Sequence, residues 1–408
     1  SWARPGRRTS SRCTTPPRAD LREHEEPPLS PASPAAWPPP GTPRPARAHE
    51  VAAYADACAP HAAVRPALLS NPMAATNWRS VGHARLVRHM PDPLSCVSTP
   101  SVADLPRALD YVLFQRQRNV LVVNGGDGTI HHVVNAAVTL TRAASQRLGA
   151  PVPLPRFLFV NGGGMNMVAR AVGARGHPTR TLSRFAERGR WATLGELTTR
   201  PLPLLAVRAH EEPDAEPSAT PTGDEGGEVR YGFIFGSRMV HDALTMYERF
   251  GRGYRGLGRF LTAVAVGPTF QTRLWRRFRH LIEPPASPAL LDGAPVRPYA
   301  AAVATTIPMR LLGGAVRAVP WEAAPGTFTA VVVTAQGERA LIGTIPGLLR
   351  ARPGRGYRYE RGARELQVRG AYTLDGELVS RPPGGPGDEG AHVRVRGAPL
   401  VVEAIAPP

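Results

Sequence analysis

Apolar positions along the chain fall into two textures. Through residues 64–190, short apolar runs alternate with segments of helical spacing. The run 64–69 reads as a strand, closed by the turn Ser70, Asn71, Pro72, and 84–88 reads as a second short strand. Residues 101–116 place Val102, Leu105, Leu109, Val112 and Leu113 on one helical face. Next come an apolar strand at 119–123, a helix at 130–140, a strand at 156–160 and a helix from Met167. Strands alternating with helices predict a parallel sheet covered by helices.

From about Leu194 the runs become short and β-like, at 202–207, 229–235, 299–306, 328–334, 357–361, 365–368 and 392–395. Turn residues separate them, which predicts an antiparallel sandwich. The expected organisation is an α/β domain over 63–195 and a β-sandwich domain over 196–405. Ahead of them, 1–62 is expected to be an unstructured leader, because residues 1–50 hold 12 prolines and eight arginines and few large apolar side chains. Residues 211–228 carry seven acids and no base, so 210–229 is expected to be a solvated, disordered loop. Residues 249–280 carry eight arginines and no acid, with Leu274, Trp275, Phe278, Leu281 and Ile282 on one helical face.

Composition then removes whole classes of chemistry. All 50 basic residues are arginine, so there is no lysine for a Walker A loop, a Schiff base or a kinase strand. Phosphate must be held by backbone N–H groups, hydroxyls, arginine or metal. The formal net charge of +18 follows the same arginine-rich composition and is not read as nucleic-acid binding. Three scattered cysteines predict neither a disulfide framework nor a zinc site, and a reducing compartment fits. No apolar run approaches the length of a membrane span. A soluble, cytoplasmic protein is expected.

The sharpest signal is the run Asn-Gly-Gly-Asp-Gly-Thr at 124–129, set between an apolar strand and an amphipathic helix. Such a turn aims several N–H groups into one concavity at the positive end of the helix, and glycine lets an anion approach closely. Asp127 is odd in an anion cradle, because its carboxylate repels phosphate. It fits if it aligns Mg²⁺-bound phosphates or takes a proton from the attacking hydroxyl. Taken alone, the run is an ordinary Asp-Gly turn. A second glycine turn at 162–164, followed by Asn166, ends the next strand, and both lie at the carboxyl edge of a parallel sheet, where ligands bind. Asn166 either donates to a ligand or caps a helix. His131 and His132 lack a third metal ligand and read as surface residues.

Asn71-Pro72, the 125–129 turn followed by Ile130, Val133 and Asn135, Gly162-Gly163 with Asn166, Ala169 and Arg170, and Asp375-Gly376-Glu377 occur in that order. Together they resemble the diacylglycerol kinase catalytic-domain superfamily, over roughly residues 65–405. The resemblance implies an α/β domain of the NAD kinase/diacylglycerol kinase type facing a β-sandwich lipid domain, with ATP in the cleft and Mg²⁺ as its metal. It implies that Gly125, Gly126, Asp127, Gly128 and Thr129 cradle the ATP phosphates, with Asn71 and Thr99 nearby. Gly162, Gly163 and Asn166 would line the nucleotide and acceptor side. Glu377 is similar to the family's proton acceptor, and Asp375 would support it or the metal. An alcohol needs such a carboxylate to take its proton as it attacks. Seen alone, Asp375-Gly376 is a hairpin turn.

The chain departs from the family at three points. Gly164 stands for a threonine, Met167 for an aspartate, and Pro325-Gly326 for a metal-binding Asp-Gly pair. No metal ligands are therefore assigned. The expected partner is a membrane lipid substrate, of diacylglycerol or sphingoid type, reached by peripheral contact with an anionic membrane surface. The alternatives are an NAD kinase-like enzyme and a catalytically impaired nucleotide- or lipid-binding protein.

Overall fold

The computed structural model describes residues 45–74, 77, 82–189, 192–210, 228–250, 287–311, 316–352, 354–379 and 392–407, with single positions between 259 and 276. Four parallel strands, β1 (Pro66–Ser70), β2 (Cys96–Ser98), β3 (Val120–Gly125) and β4 (Arg156–Asn161), lie in the order β2-β1-β3-β4. Leu121, Val123, Phe157 and Phe159 face one core, packed against the long helix Asp127–Leu148. Val120, Val122, Leu158 and Val160 face the other, with Leu86, Leu182 and Phe185. Burial on both faces explains why these strands read as unbroken apolar runs.

The second half is antiparallel, as its texture predicts. β5 (Thr199–His210), β6 (Val229–Gly232), β8 (Ser287–Leu291), β9 (Ala294–Tyr299), β15 (Glu365–Arg369) and β18 (His392–Ile405) continue the first sheet. β7 (Ile234–Arg238), β10 (Ala301–Thr305), β13 (Phe328–Val333), β14 (Tyr357–Ala363), β16 (Tyr372–Leu374) and β17 (Glu377–Val379) form a second sheet in the order β14-β13-β10-β7-β16-β17. β11 (Met309–Leu311) and β12 (Val316–Val319) pair separately. Leu205, Leu366, Val393 and Val395 of the first sheet meet Phe235, Ala304, Val332 and Leu374 of the second, forming the sandwich core.

β18 joins the two halves. Its end lies parallel beside β4 at Ala404 and Phe157, while the whole strand runs antiparallel to β5. The parallel and antiparallel regions therefore share one sheet.

Two sequence expectations change. Residues 84–88, read as a strand, lie largely within the helix His83–Val87, and the second strand is β2. Alternating Ala, Leu and Val with arginine satisfies either period over so few residues. The leader expected over 1–62 contains the helix Ala48–Ala57, which buries Val51, Tyr54 and Ala57. The Tyr54 ring meets Phe114 edge-on at 5.2 Å, and its hydroxyl donates to the Pro153 carbonyl. Abundant alanine and proline hid this three-residue apolar spacing. The leader up to residue 44, residues 211–227 of the acidic loop and most of the arginine-rich segment lie outside the described residues.

Candidate active site

Only Gly126 separates β3 from the helix Asp127–Leu148, and its backbone is extended. The first N–H groups of that helix have no intrahelical acceptor, so they point past the carboxyl edge of the sheet. The neighbouring glycines have a second reason to be there. A Cβ on Gly162 would come within 2.6 Å of Asn124 Oδ1 and of the Gly125 nitrogen. One on Gly163 would come within 3.0 Å of the Gly126 nitrogen and 2.8 Å of Asn166 Oδ1. The two turns pack backbone against backbone, which no larger residue permits.

Asp127 is accounted for by the same contact. Its Oδ2 accepts from the Met167 N–H and its Oδ1 from the Val168 N–H, both at 3.0 Å. The carboxylate caps the helix Met167–Ala171 from the neighbouring turn. Sequence reasoning gave it to phosphate alignment or proton removal; both oxygens instead hold backbone. Burial pushes its carboxyl up to about 6, against the pull of those two donors. Asn166 is likewise engaged at home. In the left-handed region at φ 53°, its Oδ1 accepts from the Gly163 N–H at 2.8 Å and its Nδ2 donates to the Gly163 carbonyl at 2.9 Å. Its amide closes its own turn; it stands at the N-cap position of the helix Met167–Ala171 but makes no side-chain bond to that helix.

A cavity of about 400 Å³ opens over these turns. Its wall includes residues 126–129, residues 163–165, Asn71, Thr99, Leu244 and residues 375–377. Gly125, Gly162 and Asn166 do not line it and stand behind that wall. Asn71 Nδ2 donates to Thr129 Oγ1 at 2.9 Å, while Asn71 Oδ1 accepts from the Met73 N–H at 2.9 Å, so the Thr129 hydroxyl is held from the side. Thr99 is buried and donates its N–H to the Ser70 carbonyl.

The far wall comes from the sandwich. Leu374 pairs with Glu377 across the two-residue loop Asp375-Gly376, where φ is 53° and 89°. Two positive φ values make this the hairpin turn that Asp-Gly favours. Asp375 Oδ1 accepts from the Phe233 and Ile234 N–H groups, each at 2.9 Å, and Oδ2 lies 3.1 Å from His131 Nδ1. Glu377 then falls directly over the start of the long helix. A Cβ on Gly128 would overlap its Oε1 and lie 3.0 Å from its Cδ. His132 Nε2 is 3.7 Å from Glu377 Oε2. The glycine turn and the Glu377 carboxylate thus share one crevice.

Residues 68–194 match the model of the diacylglycerol kinase catalytic domain. The resemblance carried by the sequence motifs stands on that match. A proposed diacylglycerol kinase from Bacillus anthracis str. Sterne superposes with a TM-score of 0.52 at 14% identity, covering 84% of this chain and 97% of that one. A second such structure from the same organism gives 0.51 at 15% identity, over 84% and 96%. At these identities the likeness is one of fold. Yeast NADH kinase complexed with NADH aligns at a TM-score of 0.42 and 10% identity over 84% of each chain, too loosely to bear on function. A search of curated proteins finds no match.

Behind the cavity wall, two residues have contacts that the sequence did not assign to them. His131 is buried, not on the surface, and Asn135 binds both the N–H and the carbonyl of Tyr231 at 2.7 and 2.6 Å. Their spacing of four along one helix was the available signal. Among the described residues, no group of three or more His, Cys, Asp or Glu side chains is placed to hold a metal ion, and no helix is long and apolar enough to cross a membrane.

Proposed function

We propose that this chain is an ATP-dependent lipid kinase that transfers the terminal phosphate to a hydroxyl of a membrane lipid of diacylglycerol or sphingoid type. The observation that carries this reading is the position of Glu377 over Gly128, inside the cavity formed by the glycine turns. The helix N-terminus offers unpaired N–H groups and a positive dipole end to a triphosphate, and the Thr129 hydroxyl, fixed by Asn71, adds a further contact. The bare backbone at Gly126 and Gly128, with a cavity of about 400 Å³, fits a nucleotide's phosphates. Mg²⁺ carried on the triphosphate would neutralise phosphate charge in a chain that has no lysine.

Glu377 accepts the proton of the acceptor hydroxyl as it attacks, which generates the nucleophile without a free alkoxide. Asp375, held by three donors, supports the turn and stays out of the proton transfer. Met73 and Val102, 66% and 54% exposed, stand beside Leu244 in the cavity lining and give the opening an apolar side suited to a lipid chain. In this reading the enzyme works in the cytoplasm and meets its substrate at an anionic membrane surface.

The test is incubation with γ-labelled ATP and either extracted membrane lipids or NAD, for wild type and Glu377→Gln. Label is expected in lipid, and the variant should lose at least about 100-fold in rate while retaining ATP binding. Label in NAD alone, or a Glu377→Gln protein as fast as wild type, overturns the proposal.

A further inference from the structure

The long helix and the hairpin 374–377 belong to different layers, yet they meet at a buried polar contact. His131 is 5% exposed and Asp375 1%. A carboxylate only accepts, so His131 Nδ1 carries the hydrogen and donates to Asp375 Oδ2. The other oxygen of Asp375 is held by the backbone N–H groups of Phe233, in the bend before β7, and of Ile234, the first residue of β7. The side chain of Asp375 is therefore fixed from both layers.

A contact of this kind could serve only to join layers, as one does a turn along the helix, where Asn135 ties the helix to β6 of the first sheet. Asn135 binds Tyr231 through both its N–H and its carbonyl and also donates to the His131 carbonyl at 2.8 Å. The His131 contact lands somewhere else: two residues before Glu377, in a two-residue loop with no slack. On the helix side, His131 lies three residues after Gly128, the position over which the Glu377 carboxylate sits. One hydrogen bond thus closes a short ring that runs along the helix, across to Asp375 and back through Glu377.

We infer that His131 is a positioning residue that sets the distance between the phosphate-facing start of the helix and Glu377. This rests on the kinase reading of the same crevice. The ring nitrogen acts by geometry, as an N–H donor of fixed reach. Asn places its Nδ2 where histidine places Nδ1, so it can replace the contact; alanine cannot.

The experiment compares wild type, His131→Ala, His131→Asn, Glu377→Gln and the double variant His131→Ala/Glu377→Gln by steady-state lipid phosphorylation. Asn135→Ala serves as the control for simple layer joining. His131→Ala is expected to lower kcat by about 100-fold, the cost of a misplacement near 1 Å, with KM for ATP essentially unchanged. His131→Asn should recover most of that loss. The double variant should be no slower than Glu377→Gln, because His131 acts through Glu377. Asn135→Ala should lower the melting temperature while keeping kcat within a few-fold.

Additive losses in the double variant, failure of Asn to rescue, or an equal kcat loss in Asn135→Ala would show a purely structural role and overturn the inference. Amide exchange of hairpin residues 374–379 is read in parallel and needs no turnover. It should rise by about tenfold or more in His131→Ala and stay at the wild-type rate in His131→Asn. Unchanged exchange in His131→Ala overturns the inference, whereas a wild type that labels no lipid overturns the kinase reading.

Discussion

Gly128 is the second residue of a helix, where glycine is locally a poor choice. An alanine there is worth up to about 1 kcal/mol in helix propensity. The reason for glycine is tertiary. A Cβ would overlap Glu377 Oε1 and stand 3.0 Å from Cδ and 3.6 Å from Cγ. Non-bonded heavy atoms settle at about 3.5–4.0 Å, so in Gly128→Ala the carboxyl group must retreat by more than about 1 Å, the overlap at Oε1 being the larger of the two. The Glu377 side chain is 45% exposed and has room to swing outward. The fold should therefore keep its stability or gain up to about 1 kcal/mol, while the carboxylate proposed as proton acceptor leaves its position over the helix start. The expected outcome is a melting temperature equal to or above wild type, with kcat lower by about 100-fold. Thermal unfolding and lipid phosphorylation on the same preparation give both numbers. A folded Gly128→Ala protein with wild-type kcat would refute the reasoning, as would a loss of more than about 2 kcal/mol in stability, which exceeds what swinging an exposed side chain costs.

Three further outcomes follow from the geometry. Gly163→Ala should destabilise the protein by about 1–3 kcal/mol, since the added carbon meets the Gly126 backbone, and urea unfolding measures this; an unchanged midpoint would show that the turns can move apart. Asn71→Ala frees the Thr129 hydroxyl and should raise KM for ATP several-fold with a smaller change in kcat, read by steady-state kinetics. Asp127 supplies a pH test. Its folded pKa is raised to about 6, so between roughly pH 4 and 6 the folded chain holds more protons than the unfolded one, and its stabilising contribution is lost as pH rises through that window. The effect is at most about 3 kcal/mol. Wild type should lose ground relative to Asp127→Asn between pH 4.5 and 7 in urea unfolding, and parallel pH curves for the two proteins would refute it.

The parts of the site legible in sequence were those written in backbone chemistry. An apolar run, a glycine turn and an amphipathic helix announce β3 and the helix Asp127–Leu148, and the order of motifs brought Glu377 into the account. What the side chains do after folding was less visible. Asp127 looked out of place in an anion cradle because nothing local shows that the N–H groups of Met167 and Val168 reach it from the next turn. His131 was dismissed for want of metal partners, since its real partner lies 244 residues away. The helix His83–Val87 failed for another reason: five residues are too few to distinguish the two periods. β18 was visible only at its start, because Gly397 and Pro399 interrupt the alternation where the strand passes from the sandwich to the parallel region.

That long strand has a mechanical consequence. β5 and β18 run side by side through both halves of the molecule, and their ladder breaks at one place, the register shift between Gly397 and Val401. Two halves spliced by continuous ribbons cannot swing apart like jaws on a flexible tether. Relative motion is confined to torsion at that irregularity. On the lipid-kinase proposal, access to the cavity is then set by the segments that line it, Leu244 of the helix Met239–Phe250 among them.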